Sequence, residues 1–293
     1  MASAKDLKKK IRSIGNTKKI TRTMEMVATV RSKQAQDRVK ATTPYSEKLG
    51  EILQSLAQAG SIDHPFLKEL GEVKKSIVLV VTANRGLCGG YNANVLSLAE
   101  KWIAAEKAVG RAVETHVIGK KGAARFRFQK VEVARVHSGI GDKPTFKDAE
   151  GLAEEFMTKF LADEVQRVVI FATKYFSNAV QRAVEIQLLP IPRPEAPKDE
   201  PSAKATSQIE FIFEPNRESI LKALIPLSVK NSVYRILVEA VASEQIARRL
   251  AMKLATDNAE ELIRLFTRRY NRQRQAGITQ QIMEIVAGAD ALG

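Results

Sequence analysis

The chain reads as an α/β protein of a particular plan: a long antiparallel coiled coil built from its two ends, with a small α/β domain inserted between them. Three observations predict this. Apolar residues at both ends recur at steps of three and four over stretches much longer than an ordinary helix. The middle of the chain alternates β-branched runs of strand length with helical patterns. A proline-rich stretch then separates that middle from the C-terminal helix.

The first element, residues 1–58, is a coiled-coil helix. Leu7, Ile11 and Ile14, continued by Ile20, Met24 and Val27, mark one narrow apolar stripe. Around it the first forty residues carry twelve Lys and Arg against Asp6, Glu25 and Asp37. Gly15 and Pro44 predict a kink or restart, since glycine costs about 1 kcal/mol in a helix and proline removes a backbone donor. At about 1.5 Å per residue the element is on the order of 80 Å long.

Residues 74–190 form the second element, a globular domain. SIVLVVTA (76–83) is a buried-strand run, followed by the turn NRGLCGG and a helical pattern over residues 92–108. RAVETHVIG reads as a second strand, KKGAARFRF and TFKDAEGLAEEFMTKFLA as helices, and VQRVVIFATKYF as a third strand. Strands alternating with helices predict a mostly parallel, Rossmann-like sheet with helices packed on it. Residues 190–207 hold five of the ten prolines and read as a mobile linker.

From residue 216 to 293 the chain is helical again, on the order of 110 Å. Ile220, Leu224 and Leu227, then Tyr234, Val238 and Val241, keep the alternation of a coiled-coil seam, with Pro226 resetting the first turns. Lower down Arg248, Arg249, Lys253, Arg264, Arg268, Arg269, Arg272 and Arg274 make the seam polar, and Ile278, Ile282, Ile285 and Val286 restore an apolar stripe. Two such helices satisfy each other by antiparallel pairing, and the longer one is left over by about 30 Å. A lone helix of that length is marginal in water, so the sequence predicts a socket on another protein.

The formal net charge of +14 over 293 residues points to an acidic or polyanionic partner. No run reaches the roughly 18–20 apolar residues of a membrane span, and the start MASAKDLKKKIRSI lacks a signal-peptide core, so a soluble, intracellular chain is expected. Cys88 is the only cysteine and reads as a structural thiol in a tight turn. The RGLCGG turn lacks both phosphate-loop spacings, and no metal cluster is read from His64, His116 and His137. No cofactor and no catalytic constellation are expected.

Three stretches carry a family resemblance: KIRSIGNTKKITRTMEMVA (10–28), TANRGLCGGYNANV (82–95), and ASEQIARRLAMKLATDNAEELI with YNRQRQAGITQQIMEIVAGA toward the end. They resemble the signature regions of the gamma subunit of the F-type ATP synthase, in order and over the whole chain. The resemblance implies a non-catalytic central rotor shaft inside a ring of alpha and beta subunits. Its globular foot lies beside the epsilon subunit and the membrane c-ring, with one copy per complex. It implies that turning of the c-ring under proton flow changes the beta subunits in sequence during ATP synthesis, and that hydrolysis runs the shaft backward. Met24, with Lys18, Arg22 and Arg31, matches the segment that meets acidic levers of the beta subunits. Arg274 and Gln275 match a pair that touches a beta catch loop, Arg85 an arginine reaching a beta subunit, and Ile278, Ile282 and Ile285 the part turning in an apolar sleeve.

The chain departs from the family at Asn84, often an acid there, and at Arg249, usually apolar. The linker is also unlike, and the paired cysteines of the chloroplast subtype are missing. A bacterial-type subunit is implied, peripheral on the cytoplasmic face of the plasma (inner) membrane. The competing reading of the charge alone is a coiled-coil nucleic-acid binder. Sparse aromatics in the basic helices and the lack of a readout module speak against it.

Overall fold

The computed structural model of the protein describes residues 4–58, 64–67, 71–192 and 217–290. Its elements in chain order are α1 (Ala4–Gln58), a 3-10 turn at Pro65–Leu67, β1 (Lys75–Val81), α2 (Tyr91–Ala108), β2 (Ala112–Ile118), α3 (Lys120–Phe128), β3 (Arg135–His137), α4 (Phe146–Leu161), β4 (Arg167–Tyr175), β5 (Gln181–Leu189) and α5 (Arg217–Asp290). Two compact units emerge, Arg31–Ala247 and the combination of Met1–Val30 with Arg248–Gly293. The proposed linker at 190–207 lies, beyond Pro192, outside the described residues.

The larger unit is built on a five-stranded sheet of order β3-β2-β1-β4-β5. The strands β1 to β4 run parallel, and β5 returns antiparallel to β4. β1 is central and buried on both faces, which is why SIVLVV is a continuous apolar run and not an alternating one. Ile77, Leu79 and Val81 point to one face with α4 and Leu221–Ala240 of α5, whereas Val78 and Val80 point to the other with α2 and α3. Fully burying each such side chain contributes about 1.5–3 kcal/mol.

α4 starts at a reciprocal cap. The Thr145 hydroxyl accepts from the Asp148 amide at 3.2 Å, and the Asp148 carboxylate accepts from the Thr145 amide at 2.8 Å. Gly119, at the end of β2, has φ +94, and a Cβ there would stand 2.1 Å from the Thr82 carbonyl oxygen. Only glycine fits that approach.

Two strands escape the sequence patterns. β3 is three residues long, too short to show a period, and β5 alternates only weakly because it is an edge strand with a solvent side. On β2, Glu114 collects donors. Burial would raise its pKa, but hydrogen bonds from His116, Lys159 and Lys75 outweigh that and lower it to about 2. His137 moves down to about 4, through burial first and the neighbouring His116 next.

Gly15 and Pro44 do not interrupt α1, nor does Pro226 interrupt α5; each helix is assigned without a break, 55 and 74 residues long. In the larger unit α5 is buried nearly all round, between the sheet face and α1. Val238 and Ala242 pack on Ala35 and Val39, while the Ser243 hydroxyl donates to the Thr173 carbonyl at 3.4 Å. The Asn231 amide donates to Ser46 at 2.9 Å.

Candidate partner-binding surfaces

In the smaller unit the N-terminal part of α1 and the C-terminal part of α5 pair antiparallel. Lys10 lies over the Phe266 ring, Lys18 Nζ meets Glu260 Oε2 at 3.0 Å, and the Thr256 hydroxyl donates to Thr21 at 2.8 Å. The covered positions of α1 are Ala4, Leu7, Ile11, Ile14, Lys18, Thr21, Glu25 and Ala28, an unbroken alternation of three and four. On α5 they are Met252, Thr256, Ala259, Ile263, Phe266 and Tyr270.

This register corrects the sequence stripe. After Ile14 the seam passes to Lys18 and Thr21, so Ile20 and Val27 lie off phase and face outward, with Ile20 60% exposed. Met24 is half-buried beside the seam. The lower seam of α5 is likewise not the arginine series. Apart from Arg248 and Arg249 at its upper end, small and apolar residues fill it, while Lys253, Arg264, Arg268 and Arg269 point outward. Small residues such as Thr21, Ala28 and Ala259 give weak hydrophobic signals, which is why the larger Ile20 and Val27 attract attention first.

The unit therefore has a second apolar surface. Ile20, Met26, Val27 and Val30 on α1, and Leu250, Leu254, Leu262 and Leu265 on α5, are exposed outside the seam. None of these α5 leucines was singled out on sequence; the signal was present as apolar residues in surplus of a single seam. Beyond Tyr270 every residue from 271 to 290 is exposed, about 30 Å of helix. Arg274, Gln275, Ile278, Ile282 and Ile285 all lie here, Ile285 being 71% exposed. Arg274 makes no ion pair among the described residues.

The basic side chains divide by use. Lys18 is spent inside the chain on Glu260, whose carboxylate is held below its usual range by the Lys18 hydrogen bond first and by Arg264 as well. Arg22 is exposed and pairs with Glu25 on its own helix at 3.1 Å. Both remain close to solvent and worth little to folding.

In the larger unit, Arg31 and Arg85 are brought together. They line one open cavity of about 770 Å³ with Arg38, Lys120 and Lys143, against a single acid, Asp142, which Arg31 meets at 3.1 Å. The cavity sits at the C-terminal ends of β1, β2 and β3, where the loops after parallel strands converge. Arg85 is exposed on the turn after β1. The Asn92 carbonyl accepts from the Ala83 amide at 2.8 Å and its amide donates to Cys88 Sγ at 3.1 Å. Cys88 itself is buried with Ala83, Tyr91 and Ala247. Asn84, at the position where the resembled family often carries an acid, accepts from the Lys120 amide at 3.2 Å. The arrangement is one of cations around an open hollow, suited to carboxylates or phosphates.

No helix among the described residues is long and apolar enough to cross a membrane. Compared with known proteins, residues 3–292 match the protein-family model described as ATP synthase. The chain is 44% identical over 293 residues to the ATP synthase gamma chain of Leptospira biflexa serovar Patoc, covering 100% of both chains. It is 45% identical over 293 residues to that of Gemmatimonas aurantiaca, covering 100% of this chain and 99% of the relative. Among solved structures it resembles the rotor of the Euglena gracilis mitochondrial ATP synthase, with a TM-score of 0.63 at 18% identity, over 94% of this chain and 98% of the other. It also resembles the central stalk and c-ring structure of the Tetrahymena thermophila enzyme, with a TM-score of 0.58 at 20% identity, over 80% of this chain and 99% of the other. The long helices flanking a parallel sheet are thus the family's architecture, and this chain belongs to the ATP synthase gamma-chain family.

Proposed function

We propose that this chain is the central rotor shaft of a bacterial F-type ATP synthase, a subunit without chemistry of its own that couples turning of the membrane c-ring to conformational change in the catalytic beta subunits. The observation that carries the reading is the apolar surface left over once the seam is satisfied, above all on residues 271–290. Such a surface is stable in water only when something packs around it. An apolar sleeve formed by the alpha and beta subunits does so without fixing a rotational position, because apolar contact is non-directional.

The outward faces of the unit are not alike. A stripe of Ile20, Met26, Val27 and Val30 lies on one helix, and leucines interleaved with Lys253, Arg264 and Arg268 lie on the other. Only a difference in contact energy between beta-subunit conformations shifts their populations, so this asymmetry is the working feature. Arg22, Met24, Arg274 and Gln275 are the side chains we assign to acidic levers and catch loops of the beta subunits, and Arg31 and Arg85 to an acidic segment entering the basic cavity. The epsilon subunit and the c-ring then take up the foot, one shaft serves each complex, and the chain is held at the cytoplasmic face of the plasma membrane through them.

The test is a cysteine at Ile282 in the reconstituted complex, with Cys88 replaced by serine as background. Crosslinking to an alpha or beta subunit with loss of full ATP turnover is expected. A complex with ATPase activity in which Ile282→Cys never crosslinks, or in which the isolated chain hydrolyses ATP, overturns the reading.

A further inference from the structure

Two of the three histidines, far apart in sequence, are brought into contact by the pairing of β2 with β3. In the parallel register His116 lies opposite Arg135, so His137, two residues on, presents its side chain to the same face. His116 Nδ1 and His137 Nε2 are 3.0 Å apart. Glu155 approaches from α4, and its carboxylate oxygen and the two ring nitrogens all lie within 4.8 Å of one another. We propose that His116, His137 and Glu155 form a metal site for a first-row transition ion, Zn²⁺ above all, at the β3 edge of the sheet.

The hydrogen bonds around the cluster already prepare one ligand. His116 Nε2 is 2.9 Å from Glu114 Oε1, and a carboxylate accepts only, so the ring proton sits on Nε2. That leaves the Nδ1 lone pair aimed at His137. A carboxylate behind the far nitrogen of a ligating imidazole is the usual support that orients the ring and raises its basicity. The Phe156 ring, edge-on to His116, locks the imidazole plane further.

The spacing suits coordination. Two nitrogens about 2.0–2.1 Å from one tetrahedral ion stand roughly 3.3 Å apart, so the pair opens by a few tenths of an ångström and the rings turn toward the ion, while the proton that His137 Nε2 now donates to His116 passes to His137 Nδ1. Glu155 has further to travel. It is held at 2.8 Å by Arg135, an exposed side chain that must let go of at least one oxygen. Two imidazoles and a carboxylate are the ligand set zinc takes when a fourth position stays with water. His137 is half-buried on an edge strand, which leaves the ion a way in from solvent. Bound there, a metal would tie β3 to β2 and α4, and so brace the Ser138–Pro144 loop that lines the basic cavity.

The experiment uses the tag-free full chain titrated with Zn²⁺ against a chromogenic chelator, with Co²⁺ absorption as an independent readout of ligand number. One Zn²⁺ per chain is expected, and a Co²⁺ spectrum of low coordination number. His137→Gln and Glu155→Gln should each weaken Zn²⁺ binding by at least tenfold, and Glu114→Gln by about 10–100-fold through the unsupported His116 ring. Arg135→Gln should tighten it several-fold by releasing Glu155, an effect that a purely structural histidine pair does not give. His64→Gln should change nothing. Absence of stoichiometric uptake by the wild-type chain overturns the proposal. So does retention of wild-type affinity in His137→Gln, or weaker binding in Arg135→Gln.

Discussion

Met252 and Leu254 stand two residues apart on α5 and give opposite predictions. Met252 lies in the seam and is 4% exposed, whereas Leu254 faces outward and is 54% exposed. Truncating a buried methionine to alanine costs about 2–5 kcal/mol, the transfer term plus the cavity. The seam here is two helices wide with water on both sides, so the site can partly collapse and the lower part of that range, about 2–3 kcal/mol, applies. For Leu254 the exposed share of a burial value of about 1.5–3 kcal/mol leaves roughly 0.8–1.6 kcal/mol to be gained from a partner. Converted at 1.4 kcal/mol per decade, that is about a 4- to 15-fold change in affinity. Leu254→Ala should therefore leave the isolated chain within about 1 kcal/mol of wild type, the better helix propensity of alanine offsetting part of the loss. Urea denaturation followed by the helical circular-dichroism signal measures the first effect; dissociation of the reconstituted alpha–beta–gamma complex measures the second. Equal destabilisation of the isolated chain by the two variants would refute the assignment of seam and outer face, and with it the argument for a surrounding socket.

Gly119→Ala drives a methyl group into the Thr82 carbonyl and should cost several kcal/mol, read as a large drop in melting temperature; Gly110→Ala, also at positive φ but in open space, should cost only about 1 kcal/mol. Thr256→Val removes the hydroxyl that donates to Thr21 and should destabilise the coil by about 1 kcal/mol, read as a fall in the urea midpoint; the Thr21 hydroxyl keeps the Lys18 carbonyl as its partner at 3.1 Å, so the loss stays near that of one hydrogen bond. Glu260 titrates below the ordinary 4.5 in the folded chain, so its contribution is present above that pH and disappears as the pH falls through the lower folded value. The urea midpoint of Glu260→Gln should differ slightly from wild type near pH 7 and converge with it as the pH falls below the ordinary carboxylate range; a difference that grows in acid would contradict the Lys18 pairing.

Much of the fold was legible because its signals are local. The continuous run at 76–81 reads as a strand buried on both faces through its short length, its β-branched residues and the glycines that follow, and the three-four steps of Leu7, Ile11 and Ile14 mark one side of a helix. β3 and β5 were not legible, since a three-residue edge strand has no period and draws its hydrogen bonds from a neighbour distant in sequence. Of the proposed contact residues, Arg274 to Ile285 lie on the uncovered stretch 271–290, which the unequal lengths of the two terminal helices already marked as left over. Lys18 misled because nothing in a basic run announces which cation turns inward.

The amino-acid order alone was enough to settle the long terminal helices, the parallel sheet between them and the excess of apolar surface, because each follows from periodicity within a few turns of chain. Which apolar residues form the seam and which face a partner was decided only in three dimensions. A slip of one position turns a helix face by about 100°, and the choice between Ile20 and Thr21 rests on how closely the second helix can approach, which small side chains permit. The meeting of His116 with His137 was settled there too, by the pairing of β2 with β3, and that of Arg31 with Arg85 by the packing of α1 beside the loop after β1, since neither pair of segments has a local reason to meet.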